Sequence, residues 1–166
     1  MAQLTQLKAE EKGEQTSRLL VILSKSTIDM VYPALMIANT GATMGKEVHM
    51  FFTFWGLDAV NRTKVDSLKV ASVGNPGMPM PNILGMIPGM TAMATRMMKG
   101  KMAKAKQPTI HELFKMAKDL GVKLHACSTT MEAMNTPKES LIDEVDDVVG
   151  AATMLSLGEG GQIIFI

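Results

Sequence analysis

The single cysteine, Cys127, is the residue best suited by type and position to covalent chemistry. It closes the run Val122-Lys-Leu-His-Ala-Cys127, whose alternation predicts a strand, and Ser128-Thr-Thr-Met131 follows as a predicted helix start. In open α/β sheets, ligands gather beyond the carboxyl ends of the strands. A helix N-terminus adds free N–H groups and a partial positive charge. Both favour thiolate over thiol, and the same groups suit a terminal persulfide anion. Free cysteine is also among the most buried residue types, so inert packing stands as the alternative. His125 shares a face with Cys127 in a regular strand, with Cα atoms about 6–7 Å apart. That is loose for a Cys–His pair, and plain packing explains it as well. Ser26 and Thr129 are candidate donors near strand ends, although helix capping explains them equally. Phe54 and Trp55, after the second predicted strand, are candidates to line a pocket.

Other chemistries find no support in the sequence. His49, His111 and His125 lack metal-ligand spacing, and there is no second cysteine, so no metal is expected. Gly74-Asn-Pro-Gly77 and Gly158-Glu-Gly-Gly161 are glycine-rich but carry neither a Walker pattern nor a dinucleotide fingerprint, so no cofactor is expected. The acidic run Asp143-Glu-Val-Asp-Asp147 reads as a solvated loop. A net charge of +1 with interspersed signs predicts no nucleic-acid partner. A lone cysteine excludes an internal disulfide and suits a reducing compartment. Residues 3–18 are polar, without the apolar centre of a secretion signal, which predicts a cytoplasmic location.

The stretch between Lys69 and Arg96 has no charged residue and is long enough to suggest a membrane span. Pro76, Pro79, Pro81 and Pro88 would break the backbone bonding that a span must satisfy internally. It reads instead as an irregular loop leading into a helix. The basic residues Arg96, Lys99, Lys101, Lys104 and Lys106 read as a solvated helix face, with a peripheral membrane or partner contact as the alternative.

The elements that must position Cys127 follow from periodicity. Arg18-Leu-Leu-Val-Ile-Leu23 is a continuous apolar run suited to a strand buried on both faces. Ser24-Lys-Ser-Thr27 offers capping hydroxyls, and residues 28–44 show helical spacing through Ile28, Val31, Tyr32, Leu35, Met36 and Ala38. Gly45 is a left-handed cap, and residues 47–52 form the second strand. Residues 53–62 predict a short helix around Trp55, Leu57 and Val60, and residues 69–73 an extended piece. Pro88 suits a first helical position, and Met86, Met90, Met93 and Met97 then share one face, read as core packing, with a mobile flap or an oligomer seam as the alternative. Thr109 and Glu112 stand at capping-box spacing, ahead of a buried stripe of Leu113, Met116, Ala117 and Leu120 ended by Gly121. A short helix around residues 137–141, a strand at 145–149, a helix at 150–157 and a strand at 162–166 complete the chain. The 17 methionines suit an irregular core or a subunit contact.

Several of these stretches are those of a known family. Ser24-Lys-Ser-Thr-Ile-Asp-Met30, Phe51-Phe-Thr-Phe-Trp-Gly-Leu57 and Gly74-Asn-Pro-Gly-Met-Pro-Met-Pro-Asn82 resemble the DsrE/DsrF-like family, in its branch often labelled peroxiredoxin-like. Pro88-Gly-Met-Thr-Ala-Met-Ala94, Gly121-Val-Lys-Leu-His-Ala-Cys127 and Gly150-Ala-Ala-Thr153 extend the resemblance from about residue 18 to the end. The resemblance implies a three-layer α/β/α fold with a mostly parallel, flavodoxin-like sheet, and a homo-oligomer. It implies a persulfide-carrying cysteine, which maps onto Cys127, and rhodanese-like and TusA-like sulfur-transfer partners. Some relatives have further cysteines. This chain has no second cysteine to resolve a disulfide, so the label does not imply peroxidase activity here. The expected organisation is a tail at 1–17 and one α/β domain at 18–166, with a Met-rich insertion around 74–106. The rival reading is a non-catalytic oligomeric binding or assembly protein, membrane-associated through the Met-rich segment.

Overall fold

The computed structural model describes residues 17–71 and 89–166. Five strands form one all-parallel sheet: β1 (Arg18–Leu23), β2 (Glu47–Phe52), β3 (Lys123–Cys127), β4 (Asp147–Val149) and β5 (Gln162–Phe165). Their order across the sheet is β4-β3-β2-β1-β5. The first four strands step steadily to one side, and β5 returns past three of them to pair with β1. Parallel strands covered on both faces need continuous apolar sequence, which Leu-Leu-Val-Ile-Leu of β1 supplies. Every β1 residue after Arg18 is buried.

On one face, Leu19, Val21, Leu23, Val48, Met50, Phe52, Leu124 and Ala126 join the main core. Helices α1 (Ile28–Thr43) and α3 (Ile110–Asp119) close that face through Val31, Leu35, Leu113 and Phe114. On the opposite face, Leu20, Ile22, Phe51 and Cys127 pack with Met154 of α5 (Ala151–Leu157). Helices therefore lie on both faces, giving three α/β/α layers. Pairing of Phe51 with His125 and of Cys127 with Val149 sets the register that brings Cys127 to this second face.

Local signals account for most helix ends. Gly45 has φ +78° and its N–H bonds the Ala42 carbonyl at 2.9 Å, so the left-handed cap forms. Thr109 and Glu112 make the reciprocal capping box, with the Glu112 N–H donating to Thr109 Oγ1 at 3.2 Å and the Thr109 N–H to Glu112 Oε2 at 2.6 Å. The expected Ser24–Thr27 cap differs: Thr27 is the N-cap, but its side chain makes no capping bond. Ser24 Oγ instead donates to the Ile166 carbonyl at 3.0 Å.

The structure corrects several other expectations. Residues 54–60 form a 3-10 helix, with Leu57 and Val60 buried but Trp55 exposed. Residues 69–71 form no strand, and 72–73 lie outside the described residues. Helix α2 (Met90–Lys104) starts after Gly89, at φ +90°, and runs through Gly100. Pro88 and Met86 lie outside the described residues, as does the proline-rich stretch before them. Met93 and Met97 are exposed, because α2 turns only Thr95 fully inward, so they are not core. Met36, Met116 and Leu120 are exposed as well. In α3 the inward face is set by Leu113, Phe114 and Ala117, and the wide stripe drawn from spacing overran it. β3 does not alternate between core and solvent, since Leu124 through Cys127 are all buried.

Among the described residues, no atom beyond Gly100's own stretch of helix lies within 4 Å of where a Cβ on it would stand. It sits inside α2, where glycine carries an entropic cost. Gly100→Ala is expected to stabilise the chain by about 0.5–1 kcal/mol. Urea unfolding checks this, and an unchanged or lower midpoint would contradict it.

Candidate functional site

Cys127 ends β3 and is itself the N-cap of α4 (Ser128–Ala133), in extended backbone at φ −75° and ψ 114°. The chain then turns sharply into the helix. This brings the free backbone N–H groups of the helix start, Thr129 and Thr130 among them, to the cysteine's end of the strand, although the cysteine side chain closes no capping bond. Thr130 stands one turn into α4 and is buried. Its Oγ1 lies 3.1 Å from Thr53 Oγ1, at the carboxyl end of the neighbouring strand, and accepts from the Phe54 N–H at 3.3 Å. Two hydroxyl protons serve this pair and one closes the bond between them, leaving the other free to point at the sulfur.

Electrostatics at the sulfur run in two directions. Burial opposes ionisation, with Cys127 only 6% exposed among Leu20, Ile22, Phe51, Val149 and Met154. The polar surroundings supplied by Thr130 first, and by Thr53 and the Thr129 N–H after it, outweigh it, with the one free hydroxyl proton of the Thr130–Thr53 pair directed at the sulfur. The thiol is therefore held below its ordinary range. Thr130→Val removes the foremost hydroxyl donor at little change in volume. A hydrogen bond to a charged group is worth about 1.5–3 kcal/mol, so iodoacetamide should alkylate Cys127 about tenfold more slowly at neutral pH. Thr130→Ser keeps the donor and should stay near wild type; equal slowing in both variants would contradict this role.

The other candidates divide. Phe54 and Trp55 are exposed at the same strand end, with ring centroids 5.9 Å apart. Phe54 takes a left-handed φ of +47°, which a bulky residue rarely adopts, and its N–H bond to Thr130 helps hold it there. Thr129 contributes its backbone N–H while its side chain faces solvent. Ser26 is half-buried in the β1–α1 loop, and among the described residues no hydrogen bond ties it to Cys127. His125 is buried on the same face as Cys127, but its Nε2 lies 3.0 Å from His49 Nδ1, so its partner is the histidine of β2.

Thr53, Thr130 and His49 were missed from sequence. The Cys-x-x-Thr spacing of 127–130 was the available signal for Thr130, since it returns the hydroxyl one helical turn above the cysteine. Access to the sulfur is indirect. A cleft of about 400 Å³ among Ile28, Tyr32, Val65, Met102 and Ile110 does not include Cys127, nor does a smaller one beside Arg62 and Asp143. Among the described residues no cluster suits a metal ion, and no helix is long and apolar enough to cross a membrane.

Residues 15–165 match the DsrE/DsrF/DrsH-like family. The chain belongs to this family. It is 37% identical to the sulfur carrier protein DsrE2 of Allochromatium vinosum, over 92% of this chain and 99% of that one. It is 32% identical to the uncharacterized protein YrkE of Bacillus subtilis, over 92% and 99% of the two chains. Two solved structures share the fold at low identity. MTH1491 of Methanobacterium thermoautotrophicum, a protein of unknown function, has a TM-score of 0.53 at 15% identity, over 90% of this chain and 99% of that one. The ychN protein of E. coli has a TM-score of 0.52 at 9% identity, again over 90% and 99%. In this chain the fold brings Cys127, Thr53 and Thr130 to the same carboxyl edge of the sheet.

Proposed function

We propose that this chain relays sulfane sulfur through Cys127, between rhodanese-like and TusA-like partners. The observation that carries the reading is the position of Cys127 at the end of β3 and the start of α4, beside the Thr53–Thr130 hydroxyl pair, where the thiol's affinity for its proton is lowered despite burial. The name of the DsrE2 relative, a sulfur carrier, supports the same reading. The exchange balances without an added oxidant. The Cys127 thiolate attacks the terminal sulfur of a donor persulfide; a new S–S bond forms, the donor's S–S bond breaks, and the donor leaves as thiolate. An acceptor thiolate then attacks the terminal sulfur on Cys127 and restores the starting thiolate. The threonine donors serve the anion before transfer and the terminal persulfide anion after it.

Because Cys127 is buried, transfer needs a local opening that uncovers the sulfur. Helix α4, of six residues, and the exposed 3-10 segment at Phe54 and Trp55 are the short elements over it. The test is intact mass after incubation with polysulfide or a persulfide-loaded rhodanese, comparing wild type with Cys127→Ser. A gain of one sulfur mass that requires Cys127 supports the relay. No adduct from either donor would overturn it.

A further inference from the structure

The second face of the sheet carries a buried pair of histidines that the sulfur exchange leaves unexplained. His49 of β2 and His125 of β3 are 5% and 4% exposed. His49 Nδ1 and His125 Nε2 are 3.0 Å apart, with the rings stacked at a centroid distance of 5.2 Å. Each outer nitrogen looks toward a carboxylate. His49 Nε2 is 3.2 Å from Glu47 Oε1, and His125 Nδ1 is 3.6 Å from Asp147 Oδ2. Arg18 Nε bonds Glu47 at 2.8 Å and holds its carboxyl below the usual range, so this end is anionic.

Counting protons along this row shows a vacancy. Two neutral imidazoles carry two N–H protons. One must lie between the rings, and one can point at a single carboxylate. The remaining nitrogen then presents a lone pair to the other carboxylate. His125 Nδ1 is in that position: it is buried and has no hydrogen-bond partner among the described residues. A third proton would give every nitrogen in the row a donor or acceptor role. Burial first, and the neighbouring His49 second, keep that proton off His125 at rest, against the pull of Asp147 and Asp146; Lys123 also opposes it.

The same strand links the pair to the sulfur. His125 and Cys127 are two residues apart on β3 and face the same side, about 6–7 Å between Cα atoms. Charges this close in a protein interior interact through a low effective dielectric. We propose that His49 and His125 form a one-proton site coupled to Cys127, gaining a proton as the sulfur becomes anionic and returning it when the sulfur is reprotonated. The pair acts as positioning residues for charge. The exchange is Cys127–SH with a neutral pair going to Cys127 thiolate with a pair bearing one positive charge, and no other reactant is needed. The charged groups facing the pair are Arg18 from β1, Glu47 from β2, Lys123 and Cys127 from β3, and Asp147 from β4, with Asp146 just before it; α5 contributes none.

This inference rests on the relay reading for its use, though not for its detection. Imidazole ¹⁵N shifts, followed through a pH titration of the whole chain, report which nitrogens carry protons. In wild type, protonation of His125, the ring with the unpartnered buried nitrogen, is expected to persist to higher pH than in Cys127→Ser. The alkylation profile of Cys127 in His49→Gln should move to higher pH, with about tenfold slower reaction at neutral pH. Identical histidine titrations in wild type and Cys127→Ser would overturn the coupling, and that comparison needs no histidine variant to fold. Polysulfide loading is read separately by mass, so a chain that fails to load but shows coupled titrations loses the relay and keeps the proton site.

Discussion

Polysulfide is expected to add one sulfur mass to the wild-type chain and none to Cys127→Ser. The loss should be complete, because the sequence holds no other thiol on which sulfur could rest. The rate should follow the thiolate fraction. Burial raises the thiol's proton affinity, and the Thr130, Thr53 and Thr129 donors more than reverse this. Loading should therefore rise with pH through a midpoint below the ordinary thiol range and level off beyond it. Stability is linked with the same sign. Between the folded and unfolded thiol pKa values, the unfolded chain holds the proton and the folded chain does not, so stability rises with pH across that window. It is lost as pH falls through the folded value. Mass spectra at a series of pH values, with circular dichroism to show that Cys127→Ser is folded, check both statements. An adduct on Cys127→Ser would place the sulfur elsewhere. A loading midpoint at or above the ordinary thiol range would remove the role given to the threonines. Burial also predicts an order among donors: small polysulfide should load by brief local opening, ahead of a protein donor that needs a wider one.

The elements around this site were legible in sequence because each is dictated locally. The apolar run of β1, Gly45 at a left-handed cap, and the Thr109–Glu112 box need no knowledge of distant residues. Placement of Cys127 between a strand and a helix was legible for the same reason. The residues that tune its sulfur were not. Thr53 reaches Thr130 only because β2 and β3 pair in the observed register, across 77 residues of sequence. His49 meets His125 on a diagonal of that ladder, which a one-residue slip would abolish. The reading of the α2 methionines as core failed for a different reason. Periodicity marks a face but not whether the fold covers it, and α2 leaves Met93 and Met97 exposed.

Gly56 is expected to be the position near the site least tolerant of a single added carbon. A Cβ there would stand 2.1 Å from the Leu23 carbonyl oxygen and 2.8 Å from its carbon. Both are backbone atoms at the buried carboxyl end of strand β1, so no flexible side-chain tip can move aside. The Thr53 N–H bonds the same Leu23 oxygen at 3.0 Å, and the Gly56 N–H bonds the Thr53 carbonyl at 2.9 Å. This close turn carries Thr53 and Phe54 over the carboxyl edge of the sheet, where both meet Thr130. Gly56→Ala must therefore push the 3-10 segment off β1. Overpacking of this kind costs about 1–3 kcal/mol, and the backbone contact puts this case at the upper end or beyond. Displacing Thr53 and Phe54 also withdraws two partners from Thr130, so the thiol should alkylate more slowly even in the fraction that folds. Urea unfolding and alkylation kinetics measure the two effects on one preparation. Loss of stability with unchanged thiol reactivity would show that the close approach at Gly56 holds the fold without holding the site. Wild-type behaviour in both would mean that the turn yields freely, and the account of how β2 delivers Thr53 to the sulfur would fail with it.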